Sequence, residues 1–254
     1  MEKFKFLSLA LFVALASIGL SSCSDDGSDG PLEPGREKVV KGIVITATDG
    51  DVFNFSSFSY DEQHRILGYT VNGDEEQYRY QYGSSYVIRE EWSTSESQWV
   101  DDNTYQLTNG LITSADGDTY EYTSGNLVKW TEDPKYYMEY IWENGNPVKE
   151  SIVGWNSVKN YDYSTLLNKI GFMQQLLDSY GYASVEIMGG SFLDPFLMNA
   201  GFFGNLPKNL ISKIKDSEGG ETTLSYDMDS DGYPVKIVAV DDDGDSAIMT
   251  ISWE

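Results

Sequence analysis

Residues 120–129 read YEYTSGNLVK, and residues 139–149 read EYIWENGNPVK. The pattern returns near the end of the chain as LSYDMDSDGYPVK at residues 224–236. Each copy is an aromatic strand end, a glycine-containing turn, and an apolar strand start closed by Lys129, Lys149 or Lys236. Ser, Asn and Gly in such turns accept the positive φ of a tight hairpin. Pro147 and Pro234 stand at the first residue of their strands, where a missing N–H is tolerated. One such hairpin cannot bury its apolar face alone, so the repeat demands neighbours of the same kind.

The neighbours are present on both sides. From residue 38 to residue 151 almost every stretch alternates apolar with polar residues and is punctuated by Gly, Asn or Asp. Strands are predicted at 40–46, 52–60, 65–71, 77–82, 86–92, 104–107, 111–114, 119–122, 127–130, 136–142 and 148–153. They resume at 211–215, 222–226, 235–240 and 247–253. Short, evenly spaced runs of this kind make a sandwich, a barrel or a long meander. The 18 Tyr, 11 Phe and 6 Trp favour strands as well. The expectation is one mainly β domain over 38–254, a large antiparallel up-and-down meander that is curled or barrel-like.

One segment departs from the alternation. Leu166, Leu167, Ile170, Met173, Leu176, Leu177 and Tyr180 fall at helical spacing, with Asn168, Lys169, Gln174, Gln175 and Asp178 opposite. This predicts an amphipathic helix around 164–180, capped by Asp162 or Ser164 and weakened by Gly171. Asp194-Pro195 predicts a shorter helical turn. Together they define a helical insertion over 162–205, which should cover an apolar sheet face or plug one end of a curved sheet.

The first 37 residues carry sorting information. Lys3 and Lys5 precede a short apolar run, FLSLALFVALASIGL at residues 6–20, which ends in LSSC at 20–23. The run is too short for a comfortable transmembrane helix and reads as a signal peptide over 1–22. LSSC resembles the bacterial lipobox, which implies cleavage before Cys23 and lipidation of that residue. Cys23 is the only Cys in the chain, so no internal disulfide can form, and lipid attachment explains the odd thiol. Residues 23–37, rich in Ser, Asp, Gly and Pro, read as a flexible acidic tether. Ser24, Asp25 and Asp26 behind the Cys resemble the export signal of surface-exposed lipoproteins of the Bacteroides group. A merely solvated linker is the other reading of those residues.

The net charge is −24, and it becomes −25 once residues 1–22 are removed. Such a chain repels nucleic-acid phosphates and anionic lipid, so the expected membrane attachment is through the lipid anchor alone. The lipobox, the Tyr…Gly…Val-Lys hairpins, the mid-chain helix, the GFFG…PKNL loop (201–210) and YDMDSDGYPVKI (226–237) form a combination. It resembles a group of Bacteroides-type lipoproteins classed as a domain of unknown function with a porin-like fold. The resemblance implies a strongly curled or barrel-like sheet with the helical insertion near its opening, and an outer-membrane address. It carries no catalytic residue. The predicted strands are too short, and too interrupted by charge, for a lipid-facing barrel wall, so a soluble domain held by its lipid is expected.

Three Trp residues near turns, Trp92, Trp99 and Trp155, are the candidate ligand contacts, since exposed aromatics stack on sugar rings or apolar partners. The ladders Tyr78, Tyr80, Tyr82 and Tyr136, Met138, Tyr140, Trp142 read mostly as core. Asp227, Asp229, Asp231 and Gly232 spell the opening of an EF-hand loop, but position 12 is Val238 rather than a bidentate Glu. What remains is a weak Ca²⁺ candidate, joined by Asp241, Asp242, Asp243 and Asp245, or simply an acidic turn. No other cofactor is indicated. His64, the one His, sits in a turn. No nucleophile elbow, phosphate loop or helical zinc motif is present. The expected function is a non-enzymatic surface domain binding a glycan or a host or envelope protein. The alternative is a structural or accessory subunit of an outer-membrane transport or assembly complex, and a hydrolase stands last.

Overall fold

The computed structural model describes residues 38–73, 75–183, 185, 187–189 and 193–254. Cys23, the signal peptide and the tether lie outside the described residues. The strands are β1 (Val40–Thr46), β2 (Val52–Tyr60), β3 (Ile66–Val71), β4 (Glu76–Tyr82), β5 (Tyr86–Ser93), β6 (Gln98–Thr108), β7 (Leu111–Ala115) and β8 (Asp118–Thr123). They continue as β9 (Asn126–Asp133), β10 (Tyr136–Glu143), β11 (Asn146–Val153), β12 (Ser157–Leu167), β13 (Asn209–Asp216), β14 (Glu221–Met228), β15 (Pro234–Val240) and β16 (Ser246–Trp253). Each pairs antiparallel with its chain neighbours, and β1 pairs with β16, so the meander closes into a barrel of 16 strands. Closure removes both sheet edges.

The turns form where the repeat places them. Ser124 and Gly125 have φ of 53° and 81°, and Asn144 and Gly145 have 53° and 79°, which is the left-handed pair that a two-residue hairpin needs. Turns that follow odd-numbered strands lie at one end of the barrel, here the far end. Lys38, Glu254 and the turns that follow even-numbered strands lie at the near end. There Val39 and Glu254 exchange backbone hydrogen bonds of 3.1 and 3.0 Å.

The repeat's aromatic strand end has a structural role. Tyr122 donates its hydroxyl to the Ile112 carbonyl at 2.7 Å, Trp142 its indole N–H to Leu127 at 2.8 Å, and Tyr226 its hydroxyl to Ile211 at 2.6 Å. Tyr60, Tyr82, Tyr163 and Trp253 make the same bond to Val40, Ile66, Pro147 and Pro234. In each of these seven hairpins the aromatic near the end of the second strand thus clasps the start of the first. Among the described residues seven of the eight hairpins have this clasp. In the β5–β6 hairpin Leu107 stands there instead, and its backbone N–H donates to Ser85.

The interior is filled by the described residues between β12 and β13, which leave β12 at the near end and return to β13 there. Asn168 N–H donates to the Lys208 carbonyl at 2.9 Å at the entrance, and the Gly181 carbonyl accepts from Thr48 N–H at 3.1 Å at the far end. The insertion therefore runs the length of the barrel as a plug. Ile170, Phe172, Met173, Leu177, Leu197 and Phe203 pack against inward-facing Ile43, Phe55, Ile112, Tyr120, Tyr140 and Met249 in one apolar core.

The expected helix is shorter than its spacing predicted and differently placed. Residues 164–167 continue β12, and helical structure is confined to a 3₁₀ turn at Met173–Gln175, α1 (Leu176–Ser179) and α2 (Pro195–Asn199). Gly171 at φ 58° breaks the run. Gln174 and Gln175, read as an outer polar face, are buried, because the barrel wall surrounds the plug on every side. Asp194 caps α2 as expected, accepting from Phe196 N–H at 2.9 Å and Leu197 N–H at 3.0 Å.

The outer wall is charged in register. Lys129 stands opposite Glu121 on one side and Glu139 on the other, and Asp227 stands opposite Lys236. Opposite charges facing across strands stabilise a solvated sheet face. A lipid-facing wall would be apolar at such positions.

Candidate functional site: an aromatic pocket at the far end of the barrel

Most of the aromatic ladder is sealed by the plug. Tyr80 donates its hydroxyl to Asp194 Oδ2 at 2.7 Å, and the Arg89 guanidinium reaches the same oxygen at 2.9 Å while also pairing with Asp102. Burial pushes the Tyr80 hydroxyl far above its ordinary range, with the Asp194 charge adding to the shift. Deeper in, Glu150 is 0% exposed. Its Oε2 accepts from the Tyr161 hydroxyl at 2.9 Å and from Gly189 N–H at 3.0 Å. Desolvation raises the Glu150 carboxyl despite the nearby Lys159 ammonium, and lowers Lys159. These groups pin the plug to the wall.

Among the described residues the plug leaves the hairpins β9–β10 and β11–β12 uncovered at the far end. Between them lies a shallow pocket with a cavity volume of about 20 Å³, lined by Trp130, Glu132, Tyr136, Tyr137, Met138, Ile152 and Trp155. Trp155 is 64% exposed and Tyr136 46% exposed. Met138 and Ile152 are inward-facing core residues that form the floor. Trp130 is fixed by its indole N–H, donated to Asp118 Oδ2 at 2.8 Å. Burial raises the Asp118 carboxyl, and the Trp130 hydrogen bond works against that. Tyr137 carries the Lys129 ammonium 4.2 Å from its ring centroid.

Gly154 holds the two hairpins together. Its φ is 101°, and a Cβ there would run into the Tyr136 ring and the Lys135 carbonyl oxygen. Only glycine gives both that backbone and that close approach. The result is a buried apolar floor, two exposed aromatic faces and one carboxylate, Glu132. Indole and phenol faces stack on the C–H faces of sugars, and a carboxylate accepts hydroxyl hydrogen bonds.

The three Trp residues proposed from sequence are separated. Trp92 and Trp99 pair across β5 and β6, with ring centroids 5.5 Å apart and planes at 71°. They lie on the outer wall beside Arg79, whose guanidinium is 4.4 Å from the Trp99 centroid and is held by Glu90 at 2.5 and 2.7 Å. Trp155 stands alone at the pocket. Tyr136, Glu132 and Gly154 were not singled out by sequence. Tyr136 belonged to a ladder read as core, and only its position beyond the plug exposes it.

The acidic turn at 227–232 holds a lysine. Lys38 Nζ reaches Asp229 Oδ2 at 2.7 Å and Asp231 Oδ2 at 2.5 Å, and Lys169 Nζ donates to the Asp231 carbonyl at 2.6 Å. Asp229 Oδ1 accepts from Asp231 N–H and Tyr233 N–H at 2.9 and 2.8 Å. The Lys38 hydrogen bond holds the Asp229 carboxyl below its usual range. Asp227 instead lies opposite Lys236 on the strand pair. In the 241–245 turn, Asp241 Oδ1 accepts from Asp243 N–H and Asp245 N–H. Among the described residues no three His, Cys, Asp or Glu side chains converge as a metal-binding group. His64 has φ 59° and is an exposed turn residue.

No family model matches the chain, and no curated protein matches it. Among solved structures it is similar to a porin-like protein from Bacteroides uniformis. That match has a TM-score of 0.55 and 15% identity, over 85% of this chain and 98% of the other. It is also similar to a porin-like protein from Bacteroides vulgatus, with a TM-score of 0.57 and 12% identity over the same shares. At these identities the likeness is one of fold: the chain shares the barrel architecture of porin-like proteins from Bacteroides.

Proposed function

We propose that the protein is a non-enzymatic binding domain of the bacterial envelope that takes a glycan in the Trp155 pocket. The observation that carries this reading is the exposed Trp155 face beside Tyr136, above a floor fixed by core packing. Large aromatic surface is left in water mainly where something is to cover it. The charged outer wall supports a barrel that does not sit in the hydrocarbon, since each Lys or Arg facing lipid costs about 2–4 kcal/mol at the bilayer midplane. The packing of the plug's described residues against the inward-facing wall supports the same view.

The lipobox at Cys23 and the acidic tether support lipid anchoring to the outer membrane, with the domain at the cell surface. The tether joins at Lys38, at the near end, so the pocket would face away from the membrane. A glycan array with the mature chain tests the reading. Saturable binding that is lost in Trp155→Ala and kept in Trp92→Ala is expected. An array without a hit, or a hit unaffected by Trp155→Ala, contradicts it. Co-purification with an outer-membrane protein in that case would favour an accessory role.

A further inference from the structure

The two ends of the barrel differ in charge. The far end carries Asp49 and Asp51 in the β1–β2 turn, Asp116 in the β7–β8 turn, Glu218 in the β13–β14 turn, and Asp241, Asp242, Asp243 and Asp245 in the β15–β16 turn. Among the described turn residues there, Lys135 is the one basic side chain. The near end carries Lys38, Arg65, Lys169 and Lys208 against Asp61, Glu62, Asp229, Asp231 and Glu254, so its charges nearly balance. Within the pocket, Glu132 stands beside Tyr136, Tyr137 and Trp155, with Asp133 next to it in the chain.

Resting on the glycan reading, we infer that the Trp155 pocket selects an oligosaccharide bearing a free ammonium group, an amino sugar without its acyl cap, over neutral and anionic glycans. Two features converge on this class. Aromatic faces attract a cation through their quadrupoles, Trp most strongly. A carboxylate in the same pocket is the natural partner of an ammonium, and their attraction grows as the pocket excludes water. The surrounding carboxylates raise the local concentration of cations and repel uronic and sialic acids. Lys129 keeps its charge on the Tyr137 ring, but it stands between Glu121 and Glu139 on the neighbouring strands, which balance it.

Calorimetry on the mature chain tests the inference with three oligosaccharides of equal length. They are fully deacetylated glucosamine, N-acetylglucosamine and galacturonate, in slightly acid buffer at low and moderate salt. The deacetylated oligomer should bind at least about tenfold more tightly than the acetylated one, and the galacturonate should not bind. Glu132→Gln should bring the first two within about threefold, and Trp155→Ala should remove binding of both. Equal or tighter binding of the acetylated oligomer, an unchanged preference in Glu132→Gln, or binding of the galacturonate overturns the charge selection and leaves the glycan reading standing. Deacetylated oligomer that still binds Trp155→Ala shows adsorption to an acidic surface, which overturns the inference. Silence with all three, alongside an array hit on another glycan, also overturns the inference alone, and silence everywhere overturns both.

Discussion

The barrel interior and its far end are built from the same kind of strand, rich in Tyr and Trp, yet they have opposite fates. In the interior, Tyr69, Tyr80, Tyr105, Tyr120 and Tyr140 lie against the plug and are buried. At the far end, Tyr136 and Trp155 stand beyond it and meet water. The difference is not in the strands, because Tyr136, Met138 and Tyr140 share one face of β10. It lies in how far the plug reaches. An aromatic ladder becomes core where the insertion covers it and a binding surface where it does not.

The comparison can be broken most forcefully from the inside. Asp194→Ala would remove the cap of α2, the acceptor of the Tyr80 hydroxyl and the buried partner of Arg89. The expected loss is about 3–5 kcal/mol, because the helix cap, the buried Tyr80 hydroxyl's acceptor and one of the two carboxylates on Arg89 go together. Trp155→Ala should cost no more than about 0.5 kcal/mol, as for an ordinary surface site. Urea unfolding of the two variants checks this, and similar losses would mean that Trp155 is core.

A smaller effect tests one clasp of the repeat. Tyr122→Phe removes the bond to the Ile112 carbonyl and keeps the ring, so a loss of about 1 kcal/mol is expected from the same measurement. The smallest effect is pH dependence. Burial raises the Glu150 carboxyl above the ordinary 4.5. The stabilisation from its proton is fully present below that value and is lost as pH rises through the raised folded value. Glu150→Gln keeps a neutral acceptor for Tyr161 and Gly189. Its melting temperature relative to the parent should therefore climb from pH 4 towards pH 8, and a flat or falling difference would contradict a desolvated carboxyl.

Much of the wall was legible because its signals are local. Ser124-Gly125 and Asn144-Gly145 specify turns through backbone φ alone, and Asp194-Pro195 announces a helix start through its cap. Closure was not legible, since the pairing of Val40 with Trp253 joins the two ends of the domain and leaves no local mark. At its 3₁₀ turn the plug has no bulk water on either side. Helical spacing predicts one wet face, but Gln174 and Gln175 are enclosed by the wall, and Leu166 and Leu167 belong to a strand. At the acidic turn, the spacing of Asp227, Asp229 and Asp231 says nothing of Lys38, which reaches in from elsewhere in the chain. Trp155 was visible as an aromatic in a turn. Its partners Tyr136 and Glu132 were not, because exposure at the top of β10 depends on the reach of a segment more than 30 residues away.

Fluorine NMR of the mature chain carrying 5-fluorotryptophan tests the central claim most directly, with the resonances assigned by single Trp→Phe substitutions. Titration with the tightest-binding oligosaccharide should shift the Trp155 resonance most and Trp130 less, while Trp92 and Trp99 stay in place. An unmoved Trp155 signal, with shifts at Trp92 and Trp99, would place binding on the outer wall and contradict the assignment of the far-end pocket.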